Sequence, residues 1–158
     1  MLYASNIMIR DVVTARPTDT VVHVARLLSE NSISAVPICD DVGTLLGMVS
    51  EGDLMRPFID SNVERRSRWL TLLADGTDLA PAFLEYVRLD RHQVGDLMTT
   101  PVITAPESAS VTELAEQMVR HHIKRLPIVR DGMLIGIVSR ADVIRAIART
   151  PESVIEKT

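Results

Sequence analysis

A serine and an aspartate three residues apart occur twice in this chain, within "GMVSEGD" as Ser50 and Asp53 and within "GIVSRAD" as Ser139 and Asp142. Each pair stands where an apolar run gives way to a helical pattern. A serine at the N-cap with an acidic residue at N3 makes a capping box, in which side-chain oxygens satisfy orphan amides of the first turn. The same two side chains can also hold a ligand, and the motif alone leaves both readings open.

Other residues with chemical potential have plainer explanations. His121 and His122 adjoin, but no cysteine or carboxylate stands at a convincing metal-ligand spacing, so no metal site is expected. Cys39 follows Pro37 and Ile38 in an apolar run, where a small buried thiol is the usual occupant. No nucleophile has both a base and an orienting group, and no Gly-rich phosphate loop occurs. The chain is not expected to be an enzyme, and nothing in it requires a cofactor.

The elements that position these residues follow from an internal repeat. With a shift of 90, residues 7 to 41 lie over 97 to 131, matching Met8 with Met98, Thr14 with Thr104, Ala15 with Ala105 and Pro37 with Pro127. After one extra residue near Val42 the shift becomes 89, and Gly47, Ser50 and Asp53 fall on Gly136, Ser139 and Asp142. Each copy reads as a short extended piece ending in "VVT" or "VIT", a turn, and then a helix. The helix carries apolar residues at i, i+3, i+4 and i+7: Val21, Val24, Ala25 and Leu28, or Val111, Leu114, Ala115 and Met118. Two short apolar strands joined by a Gly-containing turn come next, and a second helix opens at the serine. The order is β-α-β-β-α, the two later strands forming a hairpin and the first pairing after the helical crossover. The fold class is α/β (α+β). One such unit is too thin to bury both faces of its sheet, so two copies packed with pseudo-twofold symmetry are expected. The divisions are 1–58, a helical insert at 59–91, 92–150, and a tail at 151–158. In the insert, Trp69, Leu72 and Leu73 recur at helical spacing with Arg65, Arg66 and Arg68 on the polar side, Gly76 follows as a stop, and Phe83 and Val87 lie one turn apart. Phe58 and Trp69 read as packing residues around it.

Bulk properties narrow the function. A chain of 158 residues can bury roughly 70% of its unfolded surface. One cysteine rules out an intrachain disulfide, and the start "MLYASNIMIRDVV" lacks a secretory apolar run, so a cytoplasmic protein is expected. No stretch approaches the roughly 18 apolar residues of a membrane helix. A net charge of -4 and 3% aromatic residues argue against nucleic acid as the main partner.

The duplicated unit, with "VGDLMTTPVIT" opening the second copy and "LPIVRDGMLIGIVSRADV" closing it, resembles the CBS domain family, whose members come in tandem pairs called Bateman modules. The insert is similar to one in bacterial pairs that continue into a BON domain, which is expected to be absent because the chain ends soon after Pro151. The resemblance implies a regulatory module that binds AMP, ADP, ATP, NAD or S-adenosylmethionine in clefts between the two copies. It places Asp53 and Asp142 on ribose hydroxyls and Ser50 and Ser139 on ribose or phosphate. A carboxylate suits vicinal hydroxyls, since charge-assisted bonds are about twice as strong as neutral ones. The helix start offers amides and a positive dipole end to phosphate, while Gly47 and Gly136 leave room for close approach. Lys124 and Arg125, ahead of Leu126 and Pro127, are implied to meet phosphate; Ser34 and Ala35 stand there in the first copy. Thr14, Ala15, Pro37, Thr104, Ala105 and Pro127 are implied to line adenine pockets, the Thr-Ala pairs through backbone amides. A homodimer and an unidentified regulated protein are the expected partners. The rival readings are a structural dimerisation module with empty clefts and a nucleic-acid-associated regulator using Arg65, Arg66 and Arg68.

Overall fold

The computed structural model describes residues 1–60 and 92–154, and in 57–60 the backbone only. Its helices are α1 (Ala4–Ile7), α2 (Val21–Glu30), α3 (Glu51–Asp60), α4 (Val111–Arg120), α5 (Arg140–Arg149) and α6 (Pro151–Val154), with a 3-10 turn at Val94–Asp96. The strands are β1 (Ala35–Cys39), β2 (Leu45–Ser50), β3 (Ala105–Pro106), β4 (Arg125–Arg130) and β5 (Met133–Ser139). The fold is α+β.

The second repeat follows the expected grammar closely. β3 pairs parallel with β4 after the α4 crossover, Ala105 opposite Ile128, and β4 pairs antiparallel with β5 in a three-stranded sheet. The β4–β5 hairpin turns on Asp131 and Gly132, with φ of 52° and 78°, the left-handed pair that matches the twist of its strands. In the first repeat, β1 and β2 make a two-stranded sheet, and the preceding strand is reduced to a single parallel bridge from Ala15 to Ile38.

Both long repeat helices bury the predicted face: Val21, Val24 and Leu28 in α2, Val111, Leu114 and Met118 in α4, with Ala25 and Ala115 half-buried. Both end the same way. Ser32 and His122 adopt φ of 51° and 54°, and the amides of Ile33 and Ile123 reach back to the carbonyls of Leu28 and Met118, each at 3.0 Å. This is a Schellman termination, and it explains His122 as the left-handed residue beyond the helix end, a place usually given to glycine.

Packing does not follow the repeats as they run along the chain. One compact unit combines residues 1–13, 39–45 and 101–154; the other combines 14–38, 46–60 and 92–100. The segment ahead of each repeat therefore joins the unit built on the other repeat. Ile9 bridges Ile137 on β5, exchanging both amide bonds at 2.9 and 3.0 Å, and the amide of Ala4 bonds to the carbonyl of Ala109 at 2.7 Å. In the second unit Thr99 bridges Met48 on β2 in the same manner. Each compact unit thus draws on residues from both of the stretches 1–58 and 92–150.

The first unit's core joins Ala4 and Met8 to Leu114, Leu126, Ile128, Val138 and Val143. The second unit buries Val21, Val24, Val36, Ile38, Val49, Leu54 and Val94.

Candidate functional site

The two Ser-Asp pairs sit at the ends of β2 and β5, where the chain turns into α3 and α5. Ser139 keeps extended backbone (φ -99°, ψ 165°) as the N-cap, and Asp142 is the third residue of the helix. The N–H and Oγ–H of Ser139 both donate to Asp142 Oδ2 at 2.8 Å, while the amide of Asp142 donates to Ser139 Oγ at 3.2 Å. The first repeat reproduces this: Ser50 N–H and Oγ–H reach Asp53 Oδ2 at 2.9 and 3.0 Å, and the Asp53 amide returns to Ser50 Oγ at 3.3 Å. The capping box is therefore real in both copies. Both aspartates are buried, and a buried carboxylate is stable only when its oxygens are satisfied.

A residue that the sequence reading did not single out completes each set. Arg145 Nη1 donates to Asp142 Oδ1 at 2.9 Å, and Arg56 Nη2 donates to Asp53 Oδ1 at 2.7 Å. The signal was legible: Asp-x-x-Arg places the two charges on one helix face, and it occurs in both copies at the same shift as the Ser-x-x-Asp motif.

The strand register brings the basic residues of the second copy to the same place. Arg125 is the cross-strand partner of Ser139, and directly opposed residues on one sheet face hold their Cβ atoms about 5 Å apart. The carbonyl of Lys124, which is exposed, accepts from the amide of Arg140 at 2.9 Å. In the first copy the corresponding bond runs from the Glu51 amide to the Ser34 carbonyl at 3.0 Å, and the following residue is Ala35. These bonds amend one expectation. The first-turn amides of Arg140 and Asp142 are not open to a phosphate, since the Lys124 carbonyl and the Ser139 hydroxyl already take them.

Gly47 and Gly136 are also corrected. The space beside each is filled by a methionine from the exchanged leading segment: a Cβ on Gly136 would lie 2.5 Å from Met8 Sδ, and one on Gly47 the same distance from Met98 Sδ. The glycines admit a thioether.

Of the implied adenine-pocket residues, Pro37, Pro127, Ala15 and Ala105 are buried, Thr104 is half-buried and Thr14 is exposed. The Ala15 amide donates to the Pro37 carbonyl at 3.0 Å, so it carries the strand bridge. Pro127 lies across from Ile137, two residues along β4 from Arg125. Cys39 is buried; burial first, and the charge of Asp40 second, push its thiol above its ordinary value, which suits packing and not attack. Among the described residues no group of three or more metal-ligating side chains occurs, and no helix is long and apolar enough to cross a membrane. Arg65, Arg66, Arg68, Trp69 and the rest of the insert lie outside the described residues.

The family model for the CBS domain matches residues 4–60 and 94–149. The chain is 31% identical over 159 residues to the uncharacterized protein MJ1426 of Methanocaldococcus jannaschii, covering 93% of this chain and 92% of that protein. It is 33% identical to the chloroplastic CBS domain-containing protein CBSX2 of Arabidopsis thaliana, over 83% of this chain and about half, 56%, of that one. The crystal structure of CBSX2 in complex with AMP superposes with a TM-score of 0.72 at 25% identity, covering 96% of this chain and 99% of that one.

Proposed function

The chain belongs to the CBS domain family, and from that premise we propose that it is a regulatory module that binds an adenosine-containing ligand, AMP, ADP, ATP, NAD or S-adenosylmethionine, and relays occupancy to another protein. The single observation that carries this reading is the register of β4 against β5. It sets Arg125 beside Ser139, with Lys124 adjoining, at the end of the sheet where the buried Asp142 stands. Cations for a phosphate and a carboxylate for ribose hydroxyls thereby share one strand end. The AMP complex of CBSX2 supports the ligand class.

The first repeat, with Ser34 and Ala35 in place of the two cations, has the same Ser-Asp-Arg set and suits a ligand or portion with less charge. Thr14, Ala15 and Pro37, and Thr104, Ala105 and Pro127, are the residues we assign to the adenine side. The module is read as regulatory and not catalytic, as cytoplasmic, and as pairing with a second copy through α5, where Ile144 and Ile147 stand 65% and 41% exposed. Binding shifts a partner only through different affinities for two states, so ligand must change the module's shape or rigidity.

Calorimetric titration of nucleotide-free protein with AMP, ATP, NAD and S-adenosylmethionine tests the reading, beside Asp142→Ala. We expect one ligand to bind in the micromolar range and the variant to lose at least about tenfold while staying folded, the scale of one charge-assisted bond. A second reading, a structural module without nucleotide, is favoured by the completeness of both capping boxes, whose serine and aspartate already satisfy one another. It prevails if none binds and Asp142→Ala only costs about 1 kcal/mol of stability, a helix cap's worth.

A further inference from the structure

The bonding of the two aspartates leaves less for a ligand than the motif suggests. A carboxylate offers about four acceptor positions. Two, on Asp142 Oδ2, are taken by the Ser139 N–H and Oγ–H; Asp142 Oδ1 holds Arg145. A ribose presents two adjacent hydroxyls, and with Oδ2 filled both would have to converge on Oδ1, where the guanidinium already sits. The Ser139 hydroxyl proton is spent on the same carboxylate, so the set has one exchangeable member. That member is the arginine, whose side chain is 54% exposed while the Asp142 side chain is 7% exposed. The first repeat gives 60% for Arg56 and 6% for Asp53. Water can reclaim an exposed guanidinium at small cost, whereas the serine bonds belong to the helix cap and are tied to its fold.

We infer that Arg145, and Arg56 in the first repeat, are specificity-determining latches: each occupies the ribose-facing oxygen of its aspartate and is released when a ligand docks, so that ligands carrying their own anion are favoured over neutral nucleosides. This rests on the nucleotide-binding reading above. A neutral nucleoside displaces the guanidinium and gives it nothing in return. A nucleotide supplies a phosphate to the local cations, among which the freed guanidinium now counts. The discrimination is thus built from a competitor inside the site, an arrangement that penalises the wrong partner.

The test is titration of wild type, Arg145→Gln and Arg145→Lys with adenosine and with AMP, at low and at moderate salt. Arg145→Gln is expected to bind adenosine about two- to fivefold tighter, the range of a half-exposed i,i+3 ion pair, and to bind AMP no tighter, so that its AMP-over-adenosine preference falls. Raising the salt should tighten adenosine in wild type and leave Arg145→Gln unmoved, with Arg145→Lys following wild type. If Arg145→Gln leaves the AMP-to-adenosine ratio unchanged, or weakens both ligands equally, the latch is wrong and the nucleotide reading survives. If neither ligand binds wild type or any variant, the latch is wrong, and the nucleotide reading stands or falls on the four-ligand titration above.

Discussion

Asp53 and Asp142 show how one side chain can answer two demands. Each is buried, each closes a helix cap through its serine, and each keeps an arginine on its second oxygen. The pairing of Ser-x-x-Asp was legible because the repeat displays it twice. The arginine was legible by the same device. The glycines were misjudged, since spacing reveals that room is needed but not what enters it. Methionine enters it, which yields a prediction: Gly136→Ala should destabilise the protein by about 1–3 kcal/mol, because the new methyl meets Met8 not only at Sδ but at Cγ and Cβ, 2.9 and 3.1 Å away. In a Met8→Ala background, itself destabilised by the lost core side chain, the same glycine change should cost less, a coupling that a double-mutant cycle in urea measures. Equal losses with and without Met8 would refute the contact.

The turns and helix ends are set by local chemistry. Between β1 and β2, Asp40 Oδ1 accepts from the amides of Thr44 and Val42 at 2.9 and 3.1 Å, and Gly43 takes φ of 90°. These bonds, that of the Thr44 amide foremost, hold the Asp40 carboxyl below its ordinary value. A carboxyl lowered in the folded state binds protons more readily when unfolded. Its contribution is therefore whole above the unfolded value, about 3.9, and fades as pH falls through the lower folded one. Asp40→Ala should melt below wild type at pH 7, and the gap should narrow as pH drops beneath 4 in a series of thermal melts. A gap that stays constant with pH would mean that the turn, not the charge, is what alanine disturbs. The helix faces were readable from periodicity, and the termination at His122 was not. A histidine pair invites thoughts of metal, and only the backbone shows that the second histidine occupies a left-handed position beyond the end of α4.

At the scale of the molecule, the leading segment of each repeat closes the unit built on the other. Removing residues 1–13 should therefore damage the unit centred on the second repeat, although those residues belong to the first. The loss of buried Ala4 and Met8 and of the Ile9–Ile137 bridge should cost about 2–4 kcal/mol by urea denaturation. Amide exchange should speed up in β5 before β2. Protection of β5 equal to that in the full chain would sink this assignment. By itself the sequence determined the repeat, the β-α-β-β-α order, the buried helix faces and the twofold occurrence of the Ser-Asp pair, because these rest on periodicity and on bonds between near neighbours. Tertiary structure decided which segment completes which sheet and what fills the glycine gaps. Those outcomes depend on hydrogen-bonding edges and cavities offered by residues far apart along the chain, where spacing carries no information about who arrives.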